Sequence, residues 1–199
     1  MIGIAFLKEP DPSIPLTRKR DTHCGYMGRA LRGETVQVHL DRLSCPVARY
    51  VMGLEVPTHE RAAVALRRFR DMDTVELADA YLHAAERLEN VGPYVAYFPW
   101  PHPGLEADVL IEITSAADAG EIVHDLAART GERIQASLSG IGAACEESTV
   151  YPLATGRANV SLGCRGCRPK MTMTADQVIL SAPRGHPLYA QLEERAAQS

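Results

Sequence analysis

The sequence lacks the features that mark membrane, exported and nucleic-acid-binding proteins. No apolar run approaches the ~20 residues that a membrane-spanning helix needs. The segment 1–8 has no basic stretch ahead of a hydrophobic one, as an export signal would have. The net charge is −4 at pH 7, and no stretch concentrates enough lysine and arginine to form a basic surface. These absences predict a cytoplasmic protein that binds neither membranes nor nucleic acids.

Common catalytic and cofactor motifs are missing too. The sequence has no P-loop, no G-x-G-x-x-G fingerprint and no H-E-x-x-H helix. The histidines are scattered, and only His23 is of interest because it adjoins Cys24. The turn 139–142 offers backbone amides ahead of a helix, which can cradle a phosphate. A tight strand-to-helix turn without a ligand explains it equally, so both interpretations stay open.

What the sequence does contain is an alternation of strand and helix patterns. The chain of 199 residues is 46% hydrophobic, which suits a single domain over 1–199. Apolar runs predict strands, and capping residues followed by three- and four-residue apolar spacing predict helices between them. We therefore expect an α/β fold with a mixed, mostly parallel sheet flanked by helices. The predicted strands cover 2–7, 36–40, 94–98, 108–113, 133–138, 158–162 and 177–182.

The two halves of the chain, 1–92 and 93–199, follow a similar order. Each runs through a strand, a helix, a second strand and a short loop, and then reaches a cysteine at a helix start. Few residues are identical between the halves. An internal duplication is therefore an open alternative to a chance likeness.

The five cysteines carry the strongest chemical signal. An odd number of cysteines in a chain without an export signal favours metal or redox chemistry over a disulfide framework. Cys164 and Cys167 form a C-x-x-C pair in a loop that we expect to be exposed. Arg165 and Arg168 stand beside them, and a nearby guanidinium lowers a thiol pKa. Two ordinary thiols are the simpler alternative.

The other cysteines occupy a comparable kind of position. Cys24 falls in the first turn of a predicted helix, Cys45 precedes a proline that opens a helix, and Cys145 opens another. In open α/β sheets, ligands gather near helix N-termini at the carboxyl ends of strands. We expect Cys24, Cys45, Cys145 and Cys164 to converge, with Cys167 as a substitute. The spacings match neither a zinc ribbon nor the compact ferredoxin run, so only the fold can assemble such a site.

With these residues placed, the sequence resembles the uncharacterised ArCR family, domain of unknown function 169, found in archaea and anaerobic bacteria. The resemblance spans nearly the whole chain and rests on the strand 4–7, Cys24 with 30–33, Ser44-Cys45-Pro46, the strand 108–111, Cys145-Glu146-Glu147, and 159–162 followed by Cys164, Gly166 and Arg168. It implies that Cys24, Cys45, Cys145 and Cys164 recur, whereas Cys167 is a variable addition. It implies no reaction.

Three hypotheses follow from this pattern. The first is an iron–sulfur cluster of the 4Fe–4S type on Cys24, Cys45, Cys145 and Cys164, serving electron transfer or a redox step with a partner protein or a small molecule. The second is a thiol/disulfide redox enzyme that uses Cys164 and Cys167. The third is a zinc-binding structural or binding module. No catalytic residue is predicted, and a homo-oligomer stays open.

Overall fold

The structure, a computed structural model, describes residues 1–70 and 72–198. Within them one sheet contains β1 (Ile2–Leu7), β2 (Val36–His39), β3 (Tyr94–Pro99), β4 (Val109–Ser115), β5 (Asn159–Ser161) and β6 (Gln177–Pro183). The order across the sheet is β2-β3-β1-β4-β6-β5. No helix in these residues is long and apolar enough to cross a bilayer.

The helices follow the capping residues of the sequence closely. Thr22 and Ser115 accept hydrogen bonds from backbone N–H groups as N-caps, and Gly131 ends a helix with a φ of 72°. A π-helix covers Ala143–Val150, and a short 3-10 helix covers Leu40–Arg42. The α-helices are α1 (His23–Leu31), α2 (Pro46–Val51), α3 (His59–Arg70), α4 (Val75–Ala84), α5 (Ala116–Thr130), α6 (Tyr151–Thr155), α7 (Cys167–Lys170) and α8 (Pro187–Ala196).

The expectation of a mostly parallel sheet is wrong. Every pairing between the named strands is antiparallel, as in the register that places Ile4 opposite Tyr97 and Ile111 opposite Ser181. The error has a physical cause, because near-continuous apolar strands are typical of parallel sheets covered on both faces. Here the sheet is antiparallel and is nevertheless covered on both faces.

Each central strand divides its apolar residues between two cores. Ile2 and Ile4 of β1 face the first core, which is covered by α1, α2, α3, α4 and the π-helix. Ala5 of β1 and Leu110 of β4 face the second core, which is covered by α5 and α8. Burial on both faces therefore accounts for the apolar runs without any constraint on strand direction.

Two local predictions also need correction. The predicted strand 133–138 is irregular chain, and its Ser137 backbone pairs with the Asn159 side chain rather than with a strand. The helix predicted over 74–90 ends at Ala84. Beyond it, the Leu88 N–H donates to the Val51 carbonyl and Arg87 caps carbonyls at the end of α2, so tertiary contacts replace the helical bonds.

The two sides of the sheet have the same strand order when each is followed from the centre to the edge. In the first half β3 lies between β1 and β2, and in the second half β6 lies between β4 and β5. In the strand order this likeness divides between β3 and β4. The division of the sequence into 1–92 and 93–199 stays a prediction. The repeat is imperfect, because α5 packs on the second face whereas the π-helix that follows it packs on the first, as α1 does. A duplication at the level of sequence stays a prediction.

Candidate functional site

All five cysteines line a single cavity on the first face of the sheet. This cysteine cavity has a volume of about 380 Å³. His23, Phe69 and Lys170 also contribute to its wall. The structure thus brings together the four cysteines expected to converge and the expected substitute, although their role as ligands stays a prediction.

The first two cysteines stand at helix starts, as the sequence indicated. Cys24 is the second residue of α1, and its Sγ lies 3.2 Å from the hydroxyl of the N-cap residue Thr22. Cys45 is the N-cap residue of α2, ahead of Pro46. The Cys24 Sγ also lies 3.9 Å from the Gly166 carbonyl oxygen, which ties α1 to the loop of the C-x-x-C pair.

Cys145 lies in the π-helix, a form that the sequence did not predict. All eight residues of this helix are buried, including two glutamates. Cys145 Sγ donates to the Gly142 carbonyl at 3.5 Å. π-Helical turns are rare and occur frequently at functional sites. Here such a turn carries Cys145, which lines the cysteine cavity.

The C-x-x-C loop is largely exposed, as expected, with Leu162 and Arg165 in solvent, but its two thiols point inward and are buried. Cys164 and Cys167 are 4% and 1% exposed. The Cys164 N–H donates to the Cys167 sulfur at 3.0 Å, and the Cys167 N–H donates to the Cys164 sulfur at 3.3 Å. A hydrogen bond with the Cys164 side chain, together with burial, raises the pKa of the Cys167 thiol above its usual range.

Arg168 stabilises this loop instead of activating a thiol. Its guanidinium donates to the Leu162 carbonyl at 2.6 Å, to the Gln177 carbonyl at 3.2 Å, and to the Thr174 carbonyl. Its charge is therefore directed at backbone oxygens. The expectation that Arg168 lowers the thiol pKa of Cys167 is wrong, because the hydrogen bond with the Cys164 side chain, followed by desolvation, raises that pKa.

His23 connects the elements that carry Cys24 and Cys145. It is buried, and its Nδ1 and Nε2 lie 2.8 Å from the Tyr97 hydroxyl and 3.0 Å from the Thr149 hydroxyl. Burial lowers the pKa of His23 to about 3, so its imidazole is neutral at physiological pH. Because both ring nitrogens make hydrogen bonds, His23 fixes α1 relative to β3 and to the π-helix.

Glu147 organises the turn ahead of Cys145, and sequence reasoning missed it. Its Oε1 accepts the backbone N–H groups of Ser139 and Gly140 at 2.7 and 2.8 Å and the Ser139 hydroxyl at 2.6 Å. Its Oε2 accepts the Ser161 hydroxyl at 2.5 Å. The amides that a phosphate would need already bind this carboxylate, which favours the tight turn over a phosphate cradle. A charged pair inside an otherwise small-residue segment, Glu146-Glu147, was the available signal.

The spacing of the sulfurs separates two kinds of metal site. In tetrahedral zinc sites with Zn–S bonds of about 2.3 Å, the sulfurs lie about 3.8 Å apart. Among the described residues, a set of three metal-binding side chains with all ligand atoms within 4.8 Å exists only at His59, Asp79 and His83. No three cysteine sulfurs of the described residues meet that condition.

The family and the relative that this chain resembles are both described as uncharacterised. The family model of uncharacterised ArCR proteins, domain of unknown function 169, matches residues 1–190. An uncharacterized protein of Methanocaldococcus jannaschii is 25% identical over 167 residues, covering 81% of this chain and 70% of that protein. No solved structure matches the chain significantly. The chain belongs to the uncharacterised ArCR family.

Proposed function

We propose that the protein binds an iron–sulfur cluster of the 4Fe–4S type in the cysteine cavity. The observation that carries the proposal is the convergence of five cysteines, from well-separated segments, on one cavity of about 380 Å³. Such a volume lies within the range of cofactor pockets, and cysteine thiolates are the usual ligands of these clusters.

The repeat in the strand order selects four of the five cysteines. Cys24 and Cys145 lie on the first-face helices that precede the second strand of each half. Cys45 and Cys164 lie in the segments that follow those second strands, β2 and β5. Cys167 has no counterpart in the first half. We therefore assign the ligands to Cys24, Cys45, Cys145 and Cys164, with Cys167 as a substitute beside Cys164.

A cluster accommodates a wider spacing of ligand sulfurs than a single zinc ion does. Each thiolate of a 4Fe–4S cluster binds a different iron, so the ligands stand further apart than around one ion. The absence of three cysteine sulfurs within 4.8 Å among the described residues agrees with this. The Cys167 N–H that points at the Cys164 sulfur is also the kind of contact that tunes a cluster potential.

A thiol/disulfide enzyme that uses Cys164 and Cys167 is less well supported. A nucleophilic thiol needs a lowered pKa and access to a substrate. Cys167 has a raised pKa and both thiols are buried. Burial of both sulfurs limits the access of a substrate to them, whereas the raised pKa opposes a nucleophile and a ligand alike until a metal displaces the proton.

The cluster would serve electron transfer or a redox step with a partner protein or a small molecule, in the cytoplasm. Phe69 and Lys170 line the cavity, and Phe69 is 62% exposed, which gives a partner an apolar contact at the rim.

Anaerobic reconstitution with iron and sulfide tests the assignment. We expect a brown protein with about four irons and four sulfides per chain. Cys24→Ser and Cys45→Ser should lose most of the iron, whereas Cys167→Ser is the matched control and should retain it. Colourless, iron-free protein, or equal loss in the control, would count against the proposal. Loss of two thiols on mild oxidation would favour the redox enzyme instead.

A further inference from the structure

A second group of metal-binding side chains lies where α2, α3 and α4 meet. His59 begins α3, and Asp79 and His83 are four residues apart on α4. His59 Nε2 lies 2.7 Å from Asp79 Oδ1, and His83 Nε2 lies 3.5 Å from Asp79 Oδ2. The two imidazole centroids are 4.2 Å apart.

We propose that His59, Asp79 and His83 bind a divalent transition-metal ion. Imidazole and carboxylate suit zinc, iron(II) and related ions. With metal–ligand bonds of about 2.0–2.2 Å in tetrahedral geometry, neighbouring ligand atoms lie about 3.3 Å apart. The observed 2.7 Å runs to Asp79 Oδ1 and the 3.5 Å to Asp79 Oδ2, and one ligand atom from each of the three residues lies within 4.8 Å of the other two. Side-chain rotation that narrows this set to about 3.3 Å would complete the site. The four-residue spacing keeps Asp79 and His83 on one helix face.

The contacts behind His59 are those of a metal ligand. Its Nδ1 lies 2.7 Å from the Tyr50 hydroxyl. A histidine that binds metal through Nε2 nearly always has its other nitrogen held by a hydrogen bond, which fixes tautomer and orientation. Arg87 holds Tyr50 in turn, because its guanidinium lies 4.9 Å from the ring centroid and donates to the Tyr50 carbonyl at 3.0 Å.

Exposure across the group is graded in the way that an open site needs. The side chains of His59, Asp79 and His83 are 18%, 44% and 70% exposed. An ion can therefore enter from solvent beside His83, and water can complete its coordination. Three protein ligands with an open position are typical of reactive rather than purely structural ions.

This site stands apart from the cysteine cavity but shares α2 with it. Cys45 caps α2, and Tyr50 lies five residues further along, about 7.5 Å at the usual helical rise. The ligands are nitrogen and oxygen rather than sulfur. The two sites can therefore be tested separately, and the failure of one would leave the other in place.

Titration of the full chain with Co²⁺ tests the inference, since cobalt–thiolate bonds give an intense near-ultraviolet band that nitrogen and oxygen ligands do not. We expect one ion with weak visible bands and no thiolate band. His83→Gln should weaken its binding at least about tenfold. His39→Gln is the matched control, because His39 is also an exposed histidine 2.8 Å from an aspartate, Asp41. Cobalt found only on sulfur, or equal binding by His83→Gln, would overturn the proposal.

Tyr50→Phe separates a metal site from an ion pair. It keeps the ring beneath Arg87 and all three ligands, and removes only the hydroxyl that holds His59. We expect the affinity for Co²⁺ to fall about 10–100-fold. Thermal melting of the metal-free variants checks that they fold. If Tyr50→Phe does not fold, His83→Gln remains as the test, because the His83 side chain is exposed. Unchanged affinity in a folded Tyr50→Phe protein would contradict the assignment.

Discussion

His23 is a buried imidazole whose two hydrogen bonds join α1, β3 and the π-helix. Protonation would place an uncompensated charge among Tyr97 and Thr149, and burial accordingly lowers the pKa of His23 to about 3 from 6.5. In the unfolded chain the same imidazole takes up a proton near pH 6.5. The contribution of His23 to stability is therefore complete above pH 6.5 and declines as the pH falls from 6.5 towards 3.

Replacing His23 by glutamine should remove this pH dependence. From pH 7 to pH 5 we expect the stability advantage of the wild type over His23→Gln to shrink by about 2 kcal/mol, because only the wild-type unfolded state gains a proton. Urea unfolding at both pH values measures it. A constant difference would contradict a neutral, buried His23.

The stability of the wild type must be compared with that of His23→Gln at each pH, because Glu146 changes the stability with pH in the opposite direction to His23. Burial, followed by the charge of Glu147, raises the pKa of Glu146 from 4.5 to about 7. Its contribution to stability is present below pH 4.5 and is lost as the pH rises through about 7. The pH profile of the wild type alone would therefore mix the two effects, whereas the difference between wild type and variant isolates His23.

At the residue scale, the sequence identified the residue types of the site and several of their positions. Cys24 and Cys45 stand at the predicted helix starts because the local caps, Thr22 and Pro46, determine them. The burial of Cys164 and Cys167 was not readable, since it depends on packing against distant helices. Glu147 was missed for the same reason, because its four donors come from 139–140 and from Ser161.

At the scale of elements, Gly28 sets how closely α1 approaches α7. A Cβ at this position would collide with the Lys170 carbonyl, a backbone atom that cannot move aside alone. The two helices carry Cys24 and Cys167. Their separation, and with it the width of the cysteine cavity on this side, depends on the missing side chain.

Gly28→Ala should therefore destabilise the protein by about 1–3 kcal/mol, since overpacking forces the helices apart. The matched control is Gly120→Ala in α5, where an added Cβ meets nothing within 4 Å. That change should stabilise by about 1 kcal/mol, because alanine is the better helix former. Urea unfolding measures the free energy of unfolding of both variants. Equal changes in Gly28→Ala and Gly120→Ala would contradict a close contact at Gly28.

Most elements could be predicted, and the failures share a cause. Caps and glycine stops are local, so the starts at Thr22 and Ser115 and the end at Gly131 were readable. The segment 133–138 has strand-like alternation, yet its Ser137 backbone bonds the Asn159 side chain. The π-helix depends on an extra residue per turn that no single-residue propensity encodes.

At the scale of the whole molecule, strand direction was the main error. Apolar strands and intervening helices suggested βαβ units, but in each half a third strand enters between the two that the helix connects. The apolar runs indicate that both faces of the sheet are covered, but they do not indicate which strands pair with each other. Pairing is a long-range property, and the sequence carries no turn signal that fixes it here.

The two halves meet along a short ladder. β1 and β4 pair at three positions, against six in β1–β3 and seven in β4–β6, and Asp108 extends the contact by accepting the Phe6 N–H at 2.7 Å. The proposed ligands come equally from the two sides, Cys24 and Cys45 from one and Cys145 and Cys164 from the other. A bound cluster would thus join the halves across this ladder.

We expect cluster loading to slow amide hydrogen exchange along β1 and β4 by more than in α5 and α8, which lie on the other face. Ligand that binds only the folded state stabilises it by mass action, and the gain is largest where the ligand bridges separable parts. Hydrogen-exchange mass spectrometry of apo and loaded protein measures this. Uniform protection, or none, would contradict a bridging site.

The short antiparallel ladder between β1 and β4 has a consequence for the stability of the protein without the proposed cluster. Loss of the proposed cluster would leave Ile2–Leu7 and Val109–Ser115 joined by this ladder and by the helices packed on both faces of the sheet. Removal of the proposed cluster would lower the free energy needed to separate these two strands, whereas the β2–β3 and β5–β6 ladders, which the cluster does not bridge, would be little affected.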